Sequence, residues 1–159
     1  AFSYPITFLI TDLANRAYGK IIARKIVIIG FIIGILLTVF VSANFSDIIA
    51  IRIAIGSGFA FFVAENLDVQ IFDKLRKNHI WYREPLVSSI FGSIADTFLF
   101  FSIAFFDTGV PWVTLALGDL AIKFLITISM LIPFRFLLSK IKDVSEMSKT
   151  KRLNKLKKA

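Results

Sequence analysis

The chain has 159 residues, 57% of them hydrophobic, with 18 Phe, one His, no Cys and a formal net charge of +8. An apolar content above the usual 45–50% or so marks an integral membrane protein. The lack of Cys excludes disulfides and thiol chemistry, and the lone His79 argues against a histidine-rich zinc site. The positive charge offers no face for nucleic acid, because it is confined to gaps between apolar runs and to the C-terminus, as topology signals are.

A membrane-crossing helix needs roughly 20 mostly apolar residues. Residues 1–19, AFSYPITFLITDLANRAYG, are polar in their second half and read as the tail of a span. The basic connection GKIIARK follows. Residues 26–43, IVIIGFIIGILLTVFVSA, are a full span, and NFSDI at 44–48 is a turn without Lys or Arg. Residues 49–73 form a long span charged at both ends, and KLRKNHIWYRE at 74–84 is a basic loop. Residues 86–106 are another span, DTGVP at 107–111 is a turn, and 112–139 are the last span, with Pro133 inside it. The expected fold is an all-α membrane protein, a polytopic helical bundle over residues 1–139 with four to five spans visible, followed by a basic cytoplasmic tail at 140–159. The chain begins with Ala inside an apolar stretch and shows no signal-peptide pattern, so a preceding segment is expected.

Charge sets the expected orientation. Arg16, Lys20, Arg24 and Lys25 lie before the second run, Lys74, Arg76, Lys77 and Arg83 in the loop at 74–84, and more Lys in the tail. The gaps at 44–48 and 107–111 hold no Lys or Arg. The basic gaps and the C-terminus are therefore expected on the cytoplasmic side.

Polar residues inside the spans carry the functional signal, since a charge at mid-membrane costs at least about 2.5–3.5 kcal/mol. They are Asp12, Arg52, Glu65, Asn66, Asp68, Gln70, Asp96, Asp119 and Lys123. Asp119 and Lys123 are four apart and share a helix face, as a structural ion pair or as part of a site. Glu65, Asp68 and Phe72 share a face, inward or near a wet edge. Ser89, Gly92, Ser93 and Asp96 share a small-residue face that admits a close helix partner. Arg52 is placed to pair with a carboxylate or to meet an anion. Phe59, Phe61, Phe62 and Phe72 offer stacking faces or simply pack, and Trp81, Tyr82 and Trp112 suit the membrane interface.

These features fit transport of a polar solute through a midplane site. An intramembrane aspartyl protease is a minor alternative, because LGD at 117–119 matches half of such a motif, with Asp96 as a second carboxylate, but the Tyr-Asp partner is absent. HExxH, GxSxG and Walker motifs are absent too, so neither those hydrolases nor ATP hydrolysis by this chain is indicated. A scaffold has no use for so many buried charges.

The segments FSYPITFLITDLANRAYGKIIARK, AIRIAIG, LDVQIFDKLR, SSIFGSIADTFLFFSIAF and GDLAIKFLITISMLIPF resemble the queuosine precursor transporter family of the YhhQ type, related in name to vitamin uptake transporters. The resemblance runs over nearly all of residues 2–135, and its TDL block at 11–13, LDVxxFxxLR block at 67–76 and FGSxxDTxxFF block from 91 are specific together. It implies a bacterial inner-membrane importer of about six helices, whose first helix would precede Ala1, with no cofactor. The implied substrate is 7-cyano-7-deazaguanine or a related 7-deazaguanine base. The family often carries Gln where this chain has Glu65, which bears on the role of that position or on substrate preference. The expected ligand-binding residues are Glu65, Asn66, Asp68, Gln70, Asp96, Asp119, Lys123 and Asp12. An ATPase module in the manner of energy-coupling-factor systems, serving another vitamin or nucleobase, is the alternative, and a homo-oligomer is compatible with either.

Overall fold

The computed structural model describes residues 3–41, 48–76 and 80–140. The expected turn at 44–47, His79 with its neighbours in the loop at 77–79, and the tail from 141 lie outside the described residues. Five helices follow one another: α1 (Ser3–Tyr18), α2 (Lys20–Val41), α3 (Ile48–Leu75), α4 (Arg83–Phe105) and α5 (Trp112–Leu138). No strand occurs among the described residues. The helices α2 to α5 are long and apolar enough to cross a membrane, which makes this a multi-pass membrane protein. The expected spans match them closely, except that α2 takes in the basic connection from Lys20. Lys and Arg are good helix formers, and their stems can run along apolar surface while the charges reach water.

The described part of α1 has 16 residues. It is the helix around which the others gather, touching α2, α3, α4 and α5. Its polar residues Thr11, Asp12 and Asn15 are buried, while Ile6 and Ile10 face outward. That is the inside-out amphipathicity of a helix set among other helices in lipid. The residue between α1 and α2 is Gly19, at φ 84, where a side chain would be strained. Its N–H donates to the Asn15 carbonyl at 2.8 Å, closing α1.

Small residues let α3 and α4 come together. At Gly92 an added Cβ would sit 2.9 Å from Phe8 Cζ and 3.4 Å from the Ala64 carbonyl oxygen, so α1 and α3 both press on α4 there. The expected small-residue face of α4 is thus a contact face, with Ser89, Gly92, Ser93 and Asp96 all buried. At the other end of the hairpin, Arg52 Nε donates to the Ile103 carbonyl at 2.9 Å and Nη2 to the Phe106 carbonyl at 2.7 Å. Arg52 therefore caps the C-terminal carbonyls of α4, where a cation meets the negative end of the helix dipole.

A contrast between two glycines tests this packing. Gly92→Val is expected to lower the melting temperature in detergent sharply, because the Phe8 ring is buried and has nowhere to retreat. At Gly118 an added Cβ meets nothing within 4 Å, so Gly118→Ala is expected to be neutral or to gain up to about 1 kcal/mol of helix stability.

Candidate functional site

Two buried polar clusters adjoin in the bundle. The first lies where α1, α3 and α4 meet. Asp12 comes from α1, Glu65 and Asp68 from α3, and all three are at most 1% exposed. Glu65 and Asp68 are three residues apart and so project from one face of α3. Thr11 Oγ1 donates to Glu65 Oε2 at 3.0 Å, and Thr7 also reaches this carboxylate. Ser88 Oγ donates to Asp12 Oδ1 at a long 3.4 Å. Glu65 Oε1 and both oxygens of Asp68 are buried without a hydrogen-bond partner. Asp12, Ser88 and Ser89 are polar neighbours of Asp68, but none meets it in hydrogen-bond geometry. A small cavity of about 10 Å³ lies beside the cluster, between Asp12, Ser89 and Thr127, about the room one water needs.

The second cluster joins α4 to α5. Lys123 Nζ donates to Asp96 Oδ2 at 2.7 Å, to Asp119 Oδ2 at 2.5 Å and to Thr97 Oγ1 at 3.0 Å. Thr97 Oγ1 in turn donates to Asp119 Oδ2 at 3.0 Å. The pairing that the four-residue spacing allows is therefore made, and it extends to Asp96 on the neighbouring helix. The ammonium has three donors and meets three oxygens, as a buried cation requires. Glu65 feels the charge of Asp68 and of Asp96, which places the two clusters side by side.

Of the eight expected ligand-binding residues, the structure gathers Asp12, Glu65 and Asp68 in the first cluster and Asp96, Asp119 and Lys123 in the second. Asn66 and Gln70 stand apart. Asn66 Nδ2 donates to the Phe62 carbonyl at 2.8 Å and Gln70 Nε2 to the Asn66 carbonyl at 3.2 Å, both within α3, and Gln70 is exposed. Thr7, Thr11, Ser88 and Thr97 complete the clusters without having been singled out by their sequence positions. Hydroxyls are unremarkable in an apolar run, and only adjacency to Asp12 and Asp96 marks Thr11 and Thr97. Of the four Phe offered as stacking faces, Phe72 packs edge-on against Phe134. Phe59, Phe61 and Phe62 line a cavity of about 710 Å³ between α2 and α3.

A family model described as "Putative vitamin uptake transporter" matches residues 1–138. The chain belongs to that family. Among curated proteins it is 32% identical to the "Queuosine precursor transporter" of Escherichia coli (strain K12), over 93% of this chain and 77% of that protein. It is 37% identical to a "Probable queuosine precursor transporter" of Haemophilus influenzae, over 82% of this chain and 63% of that protein. A "Probable queuosine precursor transporter" of Bacillus subtilis is 27% identical over 91% of this chain and 72% of its own length. No solved structure matches the chain with significance. That family gives the two clusters a context of transport.

Removing Lys123, the one buried cation among the described residues, tests the second cluster. Lys123→Met is expected to cost about 3–5 kcal/mol, because it strands charge that the bundle cannot solvate. The double variant Lys123→Met with Asp96→Asn is expected to recover part of that loss. Thermal unfolding in detergent reads both.

Proposed function

We propose that this protein imports a queuosine precursor, 7-cyano-7-deazaguanine or a related 7-deazaguanine base, and binds it at the cluster of Asp12, Glu65 and Asp68. The names of the relatives at 32% and 37% identity support the substrate class. The observation that carries the site is the set of buried carboxyl oxygens that make no well-formed hydrogen bond, Glu65 Oε1 and both oxygens of Asp68, with hydroxyls and Asp12 beside them. A 7-deazaguanine presents N1–H and an exocyclic amine side by side. A carboxylate accepts two such parallel donors at once, in the bidentate geometry that makes charged hydrogen bonds strong and directional. Bases that lack the donor pair leave the carboxylate stranded and are rejected.

The three Lys123 donors are already met by Asp96, Asp119 and Thr97, so the O6 carbonyl of the base would take its donor from a hydroxyl beside the carboxylates. In this reading Asp96 and Asp119 hold Lys123 in place, and Asn66 and Gln70 are the outlying members of the expected set. By the positive-inside pattern, the protein lies in the bacterial inner membrane with the basic connections and the C-terminus in the cytoplasm.

The test is uptake in a bacterium that cannot make the deazaguanine and lacks its own importer. The base is supplied at nanomolar levels and queuosine is read in transfer RNA. The parent chain is expected to restore queuosine. Glu65→Gln and Asp68→Asn, each offering one acceptor where the carboxylate offers two, are expected to reduce the initial rate about tenfold or more, in line with the ~1–3 kcal/mol of an unmet buried hydrogen bond. Full rates in both variants at matched membrane levels would remove the carboxylates from the site.

A further inference from the structure

We propose that the cavity between α2 and α3 is a water-accessible vestibule that receives the flat heterocycle, stacks it on phenylalanine and passes it to Glu65. The proposal rests on the transport reading and adds a second binding place and a direction of entry. The cavity encloses about 710 Å³, the size of a small-molecule site. It exists because α2 carries Gly30 and Gly34 on this side, where an added Cβ would meet nothing within 4 Å. Phe31 of α2 leans on Phe62 of α3 with ring centroids 5.1 Å apart, and Phe59 and Phe61 add further ring faces. Aromatic faces hold any planar base by stacking, with little demand on its edge.

The cavity is lined mostly by apolar side chains, and Thr7 is the polar residue at its inner end. Thr7 both lines it and reaches the Glu65 carboxylate. Glu65 follows Phe61 by four residues and Phe62 by three, so it lies one turn further along the same face of α3. Its Oε1 is buried without a partner. A ligand that leaves the rings therefore meets an unfilled acceptor next.

The two ends of the bundle differ. The cavity extends to Thr38 of α2 and Ile51 of α3, the ends remote from the basic connections. The other end is tied by charge. Arg16 pairs with Glu84 between α1 and α4, and Lys20 with Asp73 between α2 and α3 at 3.4 Å. Arg76 pairs with Asp73 at 3.2 Å and donates to the Asn15 carbonyl at 2.7 Å. The ion pairs of Arg16 and Lys20 thus lie at the basic end and Arg52 ties α3 to α4 at the other, while the cavity between α2 and α3 reaches toward the end without the basic charges, the side from which it would load.

The chain has no Cys, so single cysteines can report on the cavity. Ser57→Cys lies in it, and Leu125→Cys, at a site 67% exposed on the outer face of α5, is the control. Cells expressing each variant are treated with a membrane-impermeant, charged methanethiosulfonate reagent, with and without 7-cyano-7-deazaguanine. Ser57→Cys is expected to react at least tenfold faster than Leu125→Cys, and the base is expected to slow it severalfold. Reaction at the Leu125→Cys rate, or only with a lipid-soluble maleimide, would make the cavity a lipid groove and overturn the proposal. Fast reaction that the base does not slow, in a variant that still imports the base, would overturn the stacking site. A parent chain that imports no deazaguanine would refute the substrate reading instead, and the reactivity of Ser57→Cys to the charged reagent would still decide whether the cavity holds water.

Discussion

The constraint on which this structure depends is acidic groups placed where water cannot solvate them. Asp12, Glu65, Asp68 and Asp96 are all buried, and among the described residues Lys123 is the only buried cation. One ammonium cannot answer four carboxylates. It is committed to Asp96, Asp119 and Thr97, and this fixes α4 against α5. The carboxylates of α1 and α3 are left with hydroxyls. Holding such groups carries the cost that membrane insertion imposes, and the donor-rich ligand proposed above would offset it.

That constraint also explains the packing. Carboxylates from three helices converge only if the backbones approach closely, and the small residues supply the approach. Gly92 lets α4 touch both Phe8 and the backbone at Ala64. The helix α1, polar in its second half, becomes the central strut because its polar side chains have an interior to face. Arg52 spends its charge on the carbonyls at the end of α4, which keeps it out of the polar clusters.

Much of the fold was legible in the sequence, because a long apolar run has few alternatives in lipid. The helices α2 to α5 fall close to where hydropathy puts them. The pairing of Asp119 with Lys123 was legible from spacing alone, and so was the shared face of Glu65 and Asp68. What spacing within one helix cannot supply is which helices meet. Asp12 joins Asp68 across two helices, and Asp96 joins Lys123 across another pair. Arg16, Lys20 and Arg76 read as topology charges because they sit in the gaps, yet Arg16 and Lys20 also make ion pairs between helices and Arg76 donates to the Asn15 carbonyl of α1. The cavity was invisible for a different reason: it is made by missing side chains at Gly30 and Gly34, and a glycine on a lipid-side face looks the same as one beside a void.

The central claim is that the α1–α3–α4 carboxylates bind the base directly. Calorimetric titration of 7-cyano-7-deazaguanine into the purified protein in detergent, for the parent and for Asp68→Asn, tests it without depending on expression in cells or on energy coupling. The account predicts saturable one-to-one binding by the parent and an affinity at least tenfold weaker in the variant. Equal affinities for two well-folded proteins would contradict it.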